Sequence, residues 1–161
     1  MEIERKFLIN HMPENIENFP YHDIEQAYLC TSPVIRIRKE DETYYMTYKG
    51  SGMMMREEVN LPLTKDAYHH LKEKADGNVI TKRRYKIPLT TPTAKTTDIL
   101  FTSPLTIELD IFHGAKEGLI MAEVEFSSEG EANNFTPPSW FGEEVTYSSA
   151  YHNSNMIFTT Q

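Results

Sequence analysis

Glu2, Glu4 and Lys6 stand two residues apart at the start of the chain, and the same spacing returns at Arg36 and Arg38, at Lys82, Arg84 and Lys86, at Glu108 and Asp110, and at Glu123 and Glu125. Residues two apart on a β-strand point to one face. At least five candidate strands therefore carry same-face charges, mostly of one sign within a strand. Like charges held so close repel unless groups of opposite sign sit between them. The carboxylates Glu2, Glu4, Glu108, Asp110, Glu123 and Glu125 offer only oxygen, the donor that hard divalent cations such as Mg²⁺ or Mn²⁺ prefer. Arg36, Arg38, Lys49, Lys82 and Arg84 are suited to a polyphosphate, gripped by charge-assisted hydrogen bonds. Phosphates and carboxylates repel each other unless a cation bridges them, so the two sets call for metal and polyanion in one cavity.

For any single pair a solvated strand face is the ordinary explanation. The joint recurrence favours strands that enclose their charged faces. Other chemistry finds little support. The six histidines form no spaced ligand set, and there is neither a Gly-rich phosphate loop ending in Lys-Ser/Thr nor a nucleophile elbow. His69 and His70 fall on the exposed side of a helix, Met53 to Met55 read as a lid or packing edge after a glycine turn, and Trp140 and Phe141 read as packing anchors.

The elements that must position these groups are mostly strands. Alternating or aromatic-rich patterns predict strands over 2–9, 24–29, 34–40, 44–49, 56–61, 79–89, 106–112 and 119–126. Residues 10–22, with Pro13 and Pro20, read as a loop with a short helix near 14–19. Turns are expected at 31–33, 41–42 and 50–52, and a loop at 90–93. Thr64 caps a helix over 64–75 that Gly77 stops. Ser128 with Glu131 forms a capping box for a short helix ending near Phe135, before Pro137 and Pro138. A last helix is expected over 149–158. This order predicts an α+β chain, mainly β: an antiparallel, eight-stranded closed barrel with helices packed outside and a lumen wide enough for a small ligand.

The totals bound the rest. The 161 residues are read as a single domain, 1–161, with 39% apolar and 25% charged residues and no signature of disorder. The lone Cys30 excludes an internal disulfide and an all-cysteine zinc site, and reads as a core or edge residue. No leader or spanning segment is recognised, so a cytoplasmic location is expected. The net charge of −8 argues against nucleic acid as partner, and without a spanning stretch no membrane partner is expected. Residues 1–100 hold 15 of the 16 Lys and Arg, whereas 101–161 hold only Lys116 against nine Asp and Glu. A chain basic early and acidic late can bring both signs to one cavity. Whether it acts as a monomer or a homodimer is left open.

These motifs together resemble the CYTH superfamily, the triphosphate tunnel metalloenzymes. The resemblance rests on Glu2-Ile-Glu-Arg-Lys6, Arg36-Ile-Arg38, Thr47-Tyr-Lys49 and Glu123-Val-Glu125. Arg56 with Glu58, Lys82-Arg-Arg84-Tyr85, Glu108-Leu-Asp110 and Trp140-Phe-Gly-Glu-Glu-Val-Thr146 support it, and it covers nearly the whole chain in order. The resemblance implies an eight-stranded tunnel that binds a small-molecule triphosphate on basic residues, Arg56 and Lys6 included, with one or two divalent metals on acidic ones. It is strongest to the short bacterial triphosphatases and implies hydrolysis of inorganic tripolyphosphate. In that reading Glu2 and Glu4 orient a metal and the attacking water, and Lys6 stabilises charge at the transferred group or leaving oxygen. A class IV adenylate cyclase and a non-catalytic polyphosphate-binding module are the alternatives. Relatives often carry lysines in the terminal helix, where this chain has His152 and Ser154.

Overall fold

A computed structural model describes residues 1–89 and 104–158. It contains ten strands: β1 (Glu2–Ile9), β2 (Tyr21–Thr31), β3 (Val34–Glu40), β4 (Thr43–Lys49), β5 (Met55–Arg56), β6 (Glu58–Pro62), β7 (Asp76–Pro88), β8 (Thr106–His113), β9 (Ile120–Glu125) and β10 (Phe141–Glu144). The helices are α1 (Lys65–Lys72), α2 (Glu129–Asn134) and α3 (Asn153–Met156). None of the described helices is long and apolar enough to cross a membrane.

The strands pair antiparallel in the order β10-β1-β9-β8-β7-β2-β3-β4-β6. The ring returns to its start because β5, one residue ahead of β6, pairs with β1 at Glu2–Arg56 and Ile3–Met55. The Glu4 N–H also donates to the Met54 carbonyl at 2.9 Å, extending this short seam. With β5 and β6 counted as one stave, and β10 flanking β1 outside the ring, β1-β9-β8-β7-β2-β3-β4-β6 form the eight-stranded, nearly closed barrel expected from the sequence. Met54 is buried at the seam and accepts a hydrogen bond from Tyr147 Oη on its sulfur at 3.6 Å, whereas Met53 and Met55 on either side are exposed.

Apolar residues of β1, β8 and β9 point outward beneath α2. Phe7, Ile107, Leu109, Ala122 and Val124 join Ala132 of α2, Phe135 just beyond it and Phe141 of β10 in one cluster. A second outer cluster packs Tyr68 of α1 on Ala27 and Ile37. A third fills one end of the barrel interior, where Tyr28, Ile80, Phe112 and Met121 meet Met156 and Ile157. Burial of such side chains, at about 1.5–3 kcal/mol each, supplies the main driving force.

The caps follow local chemistry. Thr64 Oγ1 accepts from the Ala67 N–H at 3.1 Å, and Ser128 Oγ accepts from the Glu131 N–H at 3.1 Å. The return arm of the second cap lands one residue early, on the Ser127 N–H.

Several expectations need correction. Strand β2 begins at Tyr21, so the expected loop ends at Pro20 and contains only a 3₁₀ turn over Ile16–Asn18. α1 ends at Lys72, and Gly77 lies inside β7 instead of stopping the helix. Its φ of +64° and the approach of the Ile157 carbonyl, 2.6 Å from where a Cβ would stand, require glycine there. The terminal helix is broken at His152, whose ψ of 129° separates a 3₁₀ turn over Ser149–Tyr151 from α3. Strand β10 was not foreseen. The loop expected at 90–93 lies outside the described residues.

Candidate active site

Strand register decides how the inward charges meet. Across β1 and β9, Lys6 faces Glu123 and Glu4 faces Glu125. Across β7 and β8, Arg84 faces Asp110 and Lys86 faces Glu108. Across β4 and β6, Lys49 faces Glu58. Most repulsion within a strand is thus relieved by the strand beside it. Two imbalances remain. Glu108 faces Glu123 across β8 and β9, so with Glu4 and Glu125 carboxylates oppose carboxylates. On β3, Arg36 lies between Tyr28 and Thr47, and Arg38 between Gln26 and Tyr45, so arginines oppose neutral groups.

The inward faces enclose a cavity of about 620 Å³. Its wall includes Glu2, Glu4 and Lys6 of β1, Arg36 and Arg38 of β3, Lys49 of β4, Arg56, Lys82 and Arg84 of β7, Glu108, and Glu123 and Glu125 of β9. These are all of the residues singled out from the sequence except Asp110. Asp110 is fully buried behind the wall, and its oxygens accept from Arg84 Nε at 2.7 Å, Arg84 Nη2 at 2.8 Å and Lys82 Nζ at 2.7 Å. It was expected as a cation ligand; its geometry is that of a support for two cations.

The carboxylates divide by their partners. Both Glu2 oxygens accept from Lys49 Nζ, at 3.0 and 3.2 Å, and Arg56 lies 3.7 Å away. Burial and a hydrogen bond to the Glu58 carboxyl raise Glu2 all the same. Glu4 stands 3.3 Å from Lys6 Nζ, and Glu123 stands 4.0 Å from it. Burial opposes the charge on Lys6, but Glu4 and Glu123 outweigh it and hold the ammonium above its ordinary value. Glu125 is pushed up to about 7 by partial burial and by Glu2, Glu108, Glu4 and Glu58. Glu125 is exposed at the rim, so the carboxylate neighbours carry more physical weight than burial.

That crowding is the structural test for a divalent cation. The donors are hard oxygens, and Glu4, Glu125, Glu123 and Glu108 oppose one another across neighbouring strands, which fits such an ion in kind. Among the described residues no three carboxylates are already gathered around one point; they are turned towards lysines and arginines.

The basic side is different. Burial and the adjacent Arg38 lower Arg36, whose Nε is buried with no hydrogen-bond partner. Among the described residues no carboxylate lies within ion-pair distance of Arg36, and Arg38 reaches only Glu40, at 3.9 Å. Arg36 Nη2 donates to Thr47 Oγ1 at 3.0 Å, Thr47 donates to Asn60 Oδ1 at 2.6 Å, and Asn60 Nδ2 donates to Glu58 Oε1 at 3.2 Å. On β7, burial pushes Lys82 down to about 7 against the pull of Asp110 and with the repulsion of Arg84 and Arg38.

A CYTH domain model matches residues 1–153. The chain belongs to the CYTH family. This CYTH domain is 36% identical to an inorganic triphosphatase of Nitrosomonas europaea, covering 98% of this chain and 97% of that protein. It is 28% identical to an inorganic triphosphatase of Acetivibrio thermocellus, covering 97% and 92% of the two chains. The crystal structure of the inorganic triphosphatase NE1496 superposes with a TM-score of 0.68 at 31% identity, over 99% of this chain and 95% of that one.

The cavity wall of this CYTH domain also includes residues that sequence reasoning left out of the site. Glu58 and Asn60 share the inward face of Arg56, a relation visible as spacing by two. Tyr28 and Tyr45 are likewise on inward faces. Asn153 and Ser154 come from α3 and close the far end of the cavity; no periodic pattern marks them.

Proposed function

We propose that this CYTH domain, acting as one unit over residues 1–161, hydrolyses inorganic tripolyphosphate to pyrophosphate and phosphate with a divalent cation, Mg²⁺ or Mn²⁺. The observation that carries this reading is the Arg36–Arg38 pair. Two buried guanidinium groups, one with an unpartnered Nε, face a cavity whose opposite wall is crowded with carboxylates. A buried cation without a counter-ion is costly, and a phosphate chain supplies the anion. The curated relatives named as inorganic triphosphatases favour this reaction over cyclisation of ATP.

Arg36, Arg38, Lys49, Arg56, Lys82 and Arg84 bind and orient the phosphates. Fixed donors that need not reorganise during reaction are the main source of stabilisation in phosphoryl transfer. Glu2, Glu4, Glu108, Glu123 and Glu125 are the residues that would hold the cation; Asp110 does not line the cavity. When bound, a divalent cation supplies Lewis-acid neutralisation of the phosphate oxygens. Glu2 and Glu4 also orient the attacking water by accepting its hydrogen bonds. Lys6 is kept protonated by its carboxylate neighbours and stabilises negative charge on the leaving oxygen, a role a fixed ammonium fills better than a proton acceptor does.

The test is incubation with tripolyphosphate, ATP or thiamine triphosphate, each with Mg²⁺ or Mn²⁺, with products resolved. Phosphate and pyrophosphate from tripolyphosphate are the expected result. Cyclic AMP from ATP would establish a cyclase, and binding without turnover a polyphosphate-binding module.

A further inference from the structure

Not all cations in the cavity are held in the same way. Lys49, Arg84 and Lys86 are held by carboxylates. Arg38 is held mainly by neutral groups: Nε donates to Gln26 Oε1 at 2.8 Å, and Nη1 donates to Tyr45 Oη at 3.1 Å. Gln26 is fully buried. Its Nε2 donates to Tyr28 Oη at 3.1 Å and to Asn153 Oδ1 at 3.0 Å. With both amide hydrogens engaged, its oxygen is committed to Arg38. The same Asn153 oxygen accepts from Lys82 Nζ at 3.1 Å. Two amides therefore join Arg38 on β3 to Lys82 on β7 through the last helix.

We infer that Gln26 and Asn153 are positioning residues for the substrate grip, and that α3 is a working part of the site. This rests on the triphosphatase reading above. The chemical reason is the neutrality of an amide. A carboxylate at position 26 would orient Arg38 equally well but would satisfy its charge before any phosphate arrived. An amide oxygen fixes the guanidinium and leaves its charge for the ligand. Asn153 makes the arrangement directional: by accepting from Gln26 Nε2, it keeps the Gln26 amide from turning over and presenting N–H groups to an arginine. The shared acceptor also fixes the spacing of Arg38 and Lys82, two groups that repel each other and would otherwise separate.

Gln26→Glu tests this with almost no change of shape. The variant keeps the acceptor, neutralises Arg38 and loses the hydrogens that reach Asn153. Steady-state kinetics with Mg²⁺ and tripolyphosphate should show KM raised at least about fivefold with a much smaller change in kcat. In an Arg38→Met background, read at raised enzyme concentration, Gln26→Glu should add less than about twofold, because residues acting through one another are not additive. Gln26→Met serves as a second variant if circular dichroism shows Gln26→Glu to be unfolded; it too should raise KM in the wild-type background and not beside Arg38→Met. An unchanged KM, or the same factor in both backgrounds, overturns the inference. If the wild-type protein does not turn over tripolyphosphate, the functional reading fails, and this inference with it.

Discussion

Arg84 and Asp110 form a two-point fork across β7 and β8, with Nε donating to Oδ1 at 2.7 Å and Nη2 to Oδ2 at 2.8 Å. The fork is buried, and Lys82 reaches the same carboxylate at 2.7 Å. Arg84 is raised well above its ordinary value and Asp110 lies below its own: burial works against both charges, and the pairing overcomes it. One hidden carboxylate thus holds two of the cations proposed to meet the phosphates.

Asp110→Asn leaves the buried Lys82 without its anion and Arg84 with only Glu108 and Glu123. Breaking one side of a buried pair costs about 3–5 kcal/mol, and urea unfolding should show a loss of that size. If Asp110 only supports Lys82 and Arg84, the Mg²⁺ concentration for half-maximal activity should stay near the wild-type value. A large rise there would restore Asp110 to the cation ligands.

Glu123→Gln and Glu125→Gln keep size and remove a charged oxygen donor. Each should lower activity at least about tenfold and raise the Mg²⁺ requirement. Metal titrations of both variants check this. Full activity of the metal-stripped protein in excess chelator would contradict it.

Lys6→Ala should lower kcat far more than it raises KM, since charge on the leaving oxygen grows only towards the transition state. Lys6→Arg should recover part of the loss, because a fixed positive charge remains. The pH–rate profiles of both variants decide between roles. A basic limb present in the wild type and absent from both, with Lys6→Arg as inactive as Lys6→Ala, would make Lys6 a proton acceptor.

Glu25 of β2 fastens α1. Burial raises its carboxyl, but hydrogen bonds from Lys72 Nζ and Tyr68 Oη, both at 2.8 Å, more than offset this and place it below its ordinary value. A carboxyl depressed in the folded state adds stability that is full above its unfolded value and is lost as pH falls through the folded one. The pair is partly exposed, so Glu25→Gln should lower Tm at pH 7 by about 1–4 °C. The gap should narrow as pH falls below about 4.5. Melting curves from pH 3 to 8 measure this.

The alternation of charge with Ile3, Ile37, Leu109 and Val124 was readable because a strand has a period of two, and a sheet covered by helices outside must put its other face into a lumen. That placed β1, β3, β8 and β9 and almost every charged residue of the cavity wall. What was not readable depends on register and on chain approach. Asp110 has the same spacing as Glu108, yet its pairing with Arg84 and Lys82 draws it behind the wall. The break at His152 was hidden because no local pattern marks the contact of its Nε2 with the Thr146 carbonyl, 3.2 Å away and six residues earlier. Gly77 looked like a helix stop because the same torsional freedom serves a strand passing close to Ile157.

The first strand lies between the last ones. β1 pairs with β9 and β10, more than a hundred residues further along, and closes the ring through β5. A segment ending before residue 120 would carry Arg36, Arg38, Lys49, Lys82 and Arg84 but would leave Glu4 and Lys6 without their facing carboxylates. Contacts this remote in sequence make folding slow, since long loops must close before they are rewarded. Barrel closure and assembly of the mixed-charge cavity are therefore one event. In a refolding experiment, the gain of tripolyphosphate turnover should follow the slowest phase and not the earlier formation of the central β2–β3–β4 meander.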